Sequence, residues 1–129
     1  MLKADKIHTT NSEFEATAGY LRGLRRGEIV TLAGITGFDY SSMQISPELD
    51  NQVSMALINM ENSLISLGAN KWDLVRLNWF ITRRELFEPA GKIIKEYFEG
   101  TAPPATTTIV GLVDERMLFE LEATALTSK

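Results

Sequence analysis

The stretch S-P-E-L-D-N-Q-V-S-M-A-L-I-N-M-E-N-S-L-I-S-L-G, residues 46–68, carries the clearest structural signal in the chain. Ser46 is a favourable N-cap, Pro47 suits the first helical position, and Gly68 fits the C-terminal stop. Large apolar residues between them recur at spacings of three and four, which draws one apolar stripe along a helix. The stripe consists of Leu49, Val53, Leu57, Met60, Leu64 and Leu67. The pattern predicts a long amphipathic helix.

A strand pattern follows this helix. Residues 75–82 read V-R-L-N-W-F-I-T, and every second residue is large and apolar, as a half-buried strand requires. Residues 85–98 carry candidate core side chains of a second helix, which ends at Gly100. Two more strands are predicted at 106–112 and 118–126, joined by the charged turn V-D-E-R.

The chain before the long helix predicts three short strands. They cover residues 6–10, 20–24 and 28–33, and the last two are joined by R-R-G, a hairpin turn whose glycine is free to adopt positive φ. Residues 11–15 form a polar connection between the first two strands. The stretch 34–46 contains two glycines and has no clear period, which predicts a loop.

The resulting order, β-β-β-α-β-α-β-β, defines an α+β fold in a single domain of residues 1–129. Two helices can cover one face of a sheet and no more. Several strands, such as I-V-T-L-A and M-L-F-E-L, are apolar at both parities, so the second face also needs a cover. Because no third helix is predicted, we expect another subunit to supply it in an obligate homo-oligomer. That second face would carry the following residues or their alternates: Ile29, Thr31, Ala33, Thr106, Thr108, Glu120 and Glu122.

Composition narrows the function classes. The absence of cysteine excludes disulfides, a thiolate nucleophile and sulfur metal sites, and one histidine, His8, cannot build a multi-histidine metal centre. A net charge of −4 gives no general attraction to nucleic acid. No apolar run approaches the ~18 residues of a membrane helix. Because M-L-K-A-D-K lacks the apolar segment of a secretory signal, we expect a cytoplasmic, metal-free protein with no nucleic-acid or membrane partner.

Several segments, taken in order, resemble one known family. They are T-A-G-Y-L-R-G-L-R-R-G-E-I-V-T-L-A-G, S-L-I-S-L-G-A, D-L-V-R-L-N-W-F-I-T, E-Y-F-E-G, P-P-A-T-T-T and M-L-F-E-L-E-A-T-A. Together they resemble the YjgF/RidA (Rid) family over residues 6–126. The resemblance implies a chorismate-mutase-like fold and a homotrimer. In that assembly the sheets would form a central barrel, with a ligand pocket at each subunit interface.

The resemblance also implies an activity. The best-understood family members are imine and enamine deaminases, which hydrolyse 2-aminoacrylate and related imines to 2-keto acids and ammonia without a cofactor. Their pocket combines an arginine after a P-A pair, a tyrosine in an early G-Y segment, a serine-glycine pair and a glutamate in the last strand. The arginine binds the carboxylate of the substrate through two parallel hydrogen bonds.

When the family's pocket residues are compared with this sequence one by one, only some of them are present. Tyr20 matches the tyrosine, Gly34 the glycine and Glu120 the glutamate, but Ala33 stands in place of the serine and Thr106 in place of the arginine. A charge-assisted hydrogen bond contributes about 1.5–3 kcal/mol, and threonine offers one neutral donor instead. Loss of the arginine should weaken binding of small 2-imino acids by roughly tenfold to a hundredfold or more. The chain resembles a branch of the family with P-A-T-T at this place.

Each candidate residue also has an alternative interpretation. Glu120 is either a group that orients water or acts as general base, or an outward-facing strand glutamate paired with an arginine. Tyr20 either closes the pocket or packs at an interface. Arg22 shares a face with Tyr20 if both lie in a strand, and it is either a substitute for the missing positive charge or a surface arginine, the interpretation we favour. Thr106 and Thr108 suit a strand by propensity, and their hydroxyls would line the pocket as neutral donors.

Two functions from different classes remain open. One is a Rid-type enzyme in which Glu120 manages water or proton transfer, while Tyr20, Thr106 and backbone groups near Gly34 hold the substrate. The other is a trimer that binds a small metabolite at its subunit interfaces without chemistry. A specialised enzyme that performs tautomerisation or cyclisation in the same pocket is a third possibility.

Overall fold

Six strands form one mixed sheet in the computed structural model, which describes residues 1–128. The strands are β1 (Lys6–His8), β2 (Gly23–Arg26), β3 (Ile29–Thr36), β4 (Leu74–Ile81), β5 (Thr107–Ile109) and β6 (Phe119–Leu126). The α-helices are α1 (Glu13–Ala18), α2 (Leu49–Ser66) and α3 (Phe87–Tyr97). Short 3-10 turns at Lys71–Asp73 and Arg84–Leu86 precede β4 and α3. The predicted α+β class is confirmed.

The order of strands in the sheet is β1-β2-β3-β6-β4-β5. Strands β4 and β5 run parallel, and every other neighbouring pair is antiparallel. The last strand in the chain, β6, therefore lies inside the sheet, between β3 and β4. Its two neighbours fix which of its side chains point to each face.

Helices α2 and α3 pack on one face of the sheet and form the main core with it. Along β6 every second side chain is buried against the helices, and the intervening side chains point to the opposite face, here called the open face. Leu57 and Leu64 of the predicted apolar stripe of α2 are almost fully buried. None of the helices within residues 1–128 is long and apolar enough to cross a membrane.

The prediction of a polar connection at residues 11–15 is wrong, because the short helix α1 begins there. Ser12 is its N-cap, and the side chains and backbone N–H groups of Ser12 and Glu15 form a capping box. Gly19 ends the helix in the left-handed conformation, with φ 73°. Six residues are too few to show a helical period, so only the S-E-F-E capping signal could have revealed α1.

Helix α1 is not among the predicted helices, so the premise that the chain holds only two helices is wrong. Phe14 of α1 lies edge-on against Phe38, with 5.4 Å between ring centroids, in a second apolar cluster that includes Tyr40 and Met117. On the open face Ile29 and Leu126 remain exposed, and the cover of this face by another subunit stays a prediction.

Several element boundaries differ from the prediction. Strand β2 begins at Gly23, so Tyr20 and Arg22 lie before it and not within it. Strand β3 continues to Thr36 through an irregularity in its pairing with β6, so Gly34 belongs to the strand and not to the following loop. The expected strand 106–112 is reduced to Thr107–Ile109. The predicted glycine turn is confirmed, since Gly27 has φ 60°.

Gln52 is a fully buried polar side chain that joins α2 to two loops. Its Nε2 donates to the carbonyl oxygens of Ser46 and Arg116 at 2.8 and 2.9 Å, and its Oε1 accepts from the Leu118 N–H at 2.8 Å. Each backbone group left without a partner in such a place costs about 1–3 kcal/mol. Gln52 therefore specifies how the two loops approach the helix.

The substitution Gln52→Leu should lower the free energy of unfolding by about 2 kcal/mol or more, because three backbone groups lose their partner. Urea unfolding followed by circular dichroism measures this change. The matched control is Asn51→Ala at the exposed neighbouring position, which should change stability by less than about 0.5 kcal/mol. Equal stability of the two variants would show that Gln52 does not specify the loops.

Candidate functional site

The candidate site is built around Gly34, at the irregular part of β3. Pairing between β3 and β6 shifts between Leu32 and Ile35, and after the shift Ile35 lies opposite Leu121 and Thr36 opposite Glu120. The Glu120 side chain lies against Gly34, and a Cβ atom at position 34 would overlap the Glu120 Oε2. Only a residue without a side chain therefore leaves room for this carboxyl group.

Glu120 is partly buried on the open face, and this burial changes its acidity. Burial raises the pKa of the Glu120 carboxyl above its ordinary value, and the negative charge of Glu122 acts in the same direction. The positive charge of Arg22 opposes them without cancelling the increase in pKa. A carboxyl with a raised pKa is a better proton acceptor than an exposed one, which is the property required of a general base.

Arg22 is 1% exposed, so its interpretation as a surface arginine is wrong. Its guanidinium donates to the Gly34 carbonyl oxygen and forms an ion pair with Glu15, with 3.2 Å between Nη2 and Oε2. The same group lies 4.3 Å from the centroid of the Tyr40 ring and 5.7 Å from that of Tyr20. Arg22 thus contacts the carbonyl oxygen of Gly34, and the Glu120 side chain lies against the same residue.

Glu15 anchors the other end of this ion pair. Its carboxylate accepts from the Thr10 N–H at 3.0 Å, from the Thr10 hydroxyl and from the Ser12 hydroxyl at 2.9 Å. Burial alone would raise the pKa of the Glu15 carboxyl, but the hydrogen bonds from Thr10 and Ser12 and the charge of Arg22 outweigh it and lower the pKa. Glu15 is therefore ionised near neutral pH, and it balances the charge of Arg22.

Tyr20 borders two clefts near this network. A cleft of about 330 Å³ includes Tyr20 and Ala33, and a second cleft of about 480 Å³ includes Tyr20, Phe14 and Val113. Burial is the largest of the influences that raise the pKa of the Tyr20 phenol, and the charge of Arg22 opposes it in part. The hydroxyl is therefore protonated at neutral pH and is able to donate a hydrogen bond.

The two candidate threonines lie on the other side of Glu120. Thr108 pairs with Phe80, which in turn pairs with Glu120, so the three side chains form a row across the open face. Two strand spacings of roughly 4.8 Å separate the backbones of Thr108 and Glu120. The Thr106 N–H donates to the Asn78 Oδ1 at 3.0 Å, just before β5 begins.

A single chain thus brings together only part of the predicted site. Glu120, Gly34 and Arg22 form one group with Tyr20 at its margin, whereas Thr106 and Thr108 lie beyond Phe80 on exposed backbone. Sequence reasoning missed the residues that support this group. They are Thr10, Ser12, Glu15 and Tyr40. The capping-box pattern in the sequence could have indicated Ser12 and Glu15. No sequence pattern indicates the contact between Tyr40 and Arg22.

Comparison with known proteins identifies the class. The family model described as Endoribonuclease L-PSP matches residues 10–127. The chain therefore belongs to this family, which is the YjgF/RidA family that its sequence segments resemble. The crystal structure of Rv2704 from Mycobacterium tuberculosis, described as a member of the YjgF/YER057c/UK114 family, is similar with a TM-score of 0.85 and 28% identity. That match covers 95% of this chain and 98% of Rv2704.

Two relatives carry names that refer to deamination. TdcF of Escherichia coli, named as a candidate reactive intermediate deaminase, is 23% identical over 126 residues, covering 95% of this chain and 98% of TdcF. Its crystal structure with bound serine has a TM-score of 0.80 to this chain. A 2-iminobutanoate/2-iminopropanoate deaminase of Dermatophagoides farinae is 24% identical over 105 residues, covering 81% of this chain and 82% of that protein. These relatives support deaminase-like activity at the level of the family.

The substitution Gly34→Ala should displace the Glu120 carboxyl while the fold remains intact, because the new Cβ meets the end of a flexible side chain. A ¹³C-NMR titration of Glu120 should then give a different midpoint from that of the natural protein. Gly111→Ala is the control, since a Cβ there meets no atom within 4 Å. An unchanged Glu120 titration in a folded Gly34→Ala protein would contradict the packing described here.

Proposed function

We propose that the chain is a cofactor-independent hydrolase that converts a small imine or enamine metabolite to a carbonyl compound and ammonia. The observation that carries the proposal is the partly buried Glu120 carboxyl, with its raised pKa, packed on Gly34. Family membership and the imine deaminase among the relatives support the same reaction. The activity is divergent from that of the arginine-bearing deaminases, because position 106 is threonine.

In the proposed reaction a water oxygen attacks the carbon of a protonated imine. Glu120 accepts a proton from that water while the electrons of the C=N double bond move to nitrogen. The protonated Glu120 then returns the proton to nitrogen, the C–N bond breaks, and ammonia leaves. Loss of the hydroxyl proton to Glu120 completes the carbonyl group. Glu120 then releases this proton to solvent, and the departed ammonia takes up a proton to become ammonium.

Binding in this proposal relies on neutral groups. The protonated Tyr20 hydroxyl and the hydroxyls of Thr106 and Thr108 would donate to polar atoms of the substrate, and Ala33 would leave apolar space. Arg22 does not replace the missing arginine, because Glu15 already balances its charge and it is almost fully buried. We therefore infer that substrates without a carboxylate suit the site better than 2-imino acids.

We also propose that the protein works as a homotrimer with a central barrel and with pockets at the subunit interfaces. Ile29 and Leu126 pair directly on the open face and are 52% and 50% exposed. Apolar side chains opposite one another on an exposed sheet favour cover by further copies of the chain. A trimer would also bring side chains of a second subunit to the open face, on which Glu120 and Thr108 lie with Phe80 between them.

A binding protein without chemistry is the second candidate, and the presence of Thr106 and Ala33 at the family's arginine and serine positions favours it. A ligand would then raise the melting temperature and be recovered unchanged. A specialised tautomerase or cyclase in the same pocket would instead convert its ligand without releasing ammonia. Cleavage of RNA, which the family's description names, is not proposed, because the net charge is −4 and Arg25 donates to the carbonyls of Leu67 and Gly68.

Ammonia and keto-acid formation should be measured with 2-aminoacrylate and 2-iminobutanoate generated in situ. The natural protein should act weakly, and Thr106→Arg should raise kcat/KM by roughly tenfold to a hundredfold, since a bidentate arginine–carboxylate pair is restored. Thr107→Arg is the matched control on the other parity of the strand and should give no increase. If Thr106→Arg has no more activity than the natural protein, position 106 does not lie in the pocket wall.

Glu120→Gln should abolish turnover but leave the oligomer intact and increase stability at neutral pH. A carboxyl whose pKa is raised by folding favours the folded state below its unfolded pKa, and this contribution is lost as pH rises through the folded value. The difference in melting temperature between variant and natural protein should therefore grow from acid to neutral pH. Full turnover in Glu120→Gln would remove Glu120 from the mechanism.

A further inference from the structure

We propose that the buried Glu15–Arg22 ion pair is a positioning device for Glu120, in which Arg22 holds the Gly34 segment of β3 and Glu15 holds Arg22. The inference rests on the proposed function of Glu120. It assigns to Glu15 of α1 and to Arg22 a role in the chemistry, although neither side chain contacts the reacting atoms in the proposed mechanism. Arg22 and Glu15 are thus positioning residues and not catalytic ones.

The ion pair is costly for a structural contact. Its side chains are 1% and 6% exposed, and the Arg22 Nε is buried without a hydrogen-bond partner among residues 1–128. Removing two charges from water costs more than their attraction usually returns, so apolar residues of similar volume are often at least as stable. A buried pair with an unsatisfied donor therefore indicates a purpose other than stability.

Gly34 links this pair to Glu120. The Arg22 guanidinium donates to the carbonyl oxygen of Gly34, and the Glu120 carboxyl packs on the Cα of the same residue. The register irregularity of β3 at this point leaves the backbone less constrained by its pairing with β6. A shift of Gly34 would move the surface on which the carboxyl rests, so Arg22 sets the position of Glu120 through one shared residue.

Arg22 also acts on Glu120 through its positive charge, in addition to the contact through Gly34. Two charged groups act on Glu120: Arg22, and Glu122 of the same strand. The residues opposite Glu120 on the adjacent strands, Thr36 and Phe80, are uncharged. Arg22 is the cation among these groups, and Glu15 in turn faces Arg22. The rings of Tyr20 and Tyr40 flank the Arg22 guanidinium, which is almost fully buried.

The ion pair therefore predicts opposite effects of its two halves. Arg22→Gln removes the attraction that favours ionised Glu120, so the Glu120 titration should move to higher pH. Glu15→Gln leaves the charge of Arg22 unbalanced, so the titration should move to lower pH. A purely structural role of the pair would not produce shifts of opposite sign.

The experiment is a ¹³C-NMR titration of the glutamate side chains in the full chain, with the Glu120 signal assigned by its loss in Glu120→Gln. Each variant is also assayed for kcat and KM with the imine substrates. Arg22→Gln should lower kcat by roughly tenfold to a hundredfold with little change in KM, as expected for a misplaced catalytic group. Arg22→Lys, which retains the charge, should restore the Glu120 titration but only part of kcat.

Two further variants keep the test decisive. Arg25→Gln removes an arginine that also donates to backbone carbonyls, and it should lower stability without moving the Glu120 titration. The apolar double variant Glu15→Leu/Arg22→Met should fold even if the single variants do not, and its Glu120 titration should lie at higher pH. An unmoved Glu120 titration in the folded variants would overturn the proposal. Shifted titrations without any turnover would instead support the positioning role while rejecting the deaminase function.

Discussion

The position of β6 inside the sheet is the constraint on which the rest of the structure depends. Strand β6 pairs with β3 on one side and β4 on the other, so its register is fixed twice. Because side chains alternate along a strand, Leu121 and Ala123 support α2 and α3 while Glu120 and Glu122 point to the open face. A slip of one residue would exchange these two sets, burying the carboxylates and exposing the core.

Gln52 and the Glu15–Arg22 pair are both buried polar arrangements, but they have different physical effects. Gln52 is neutral, and both ends of its amide find backbone partners, which makes it a favourable connection between α2 and the loops around it. The Glu15–Arg22 pair buries two charges, and the Arg22 Nε has no hydrogen-bond partner within the described part of the chain, residues 1–128. The first arrangement specifies the fold, whereas the second is more easily explained by the chemistry of the site that it supports.

The charge balance around Glu120 separates this protein from deaminases that bind a carboxylate through an arginine. Arg22 is neutralised by Glu15, and Thr106 contributes no charge, so neither of these two positions supplies a free cation for an anionic substrate. Membership of the YjgF/RidA family narrows the chemistry to a class of reactions. In the proposed homotrimer, the particular substrate would also depend on the groups that a neighbouring subunit adds to this face.

The sequence by itself determined the class of fold, the long helix α2, the strands β4 and β6, and the family. These features can be recognised from the periodic spacing of apolar residues and from the order of the family's segments, and neither requires knowledge of distant contacts. It also singled out Gly34 and Glu120, whose roles stay predictions. The tertiary structure alone decided that Arg22 is buried, that Glu15 pairs with it and that Arg22 and Glu120 both contact Gly34. Those contacts join α1, the residues before β2, β3 and β6, and no local pattern records which distant side chains will share a buried space.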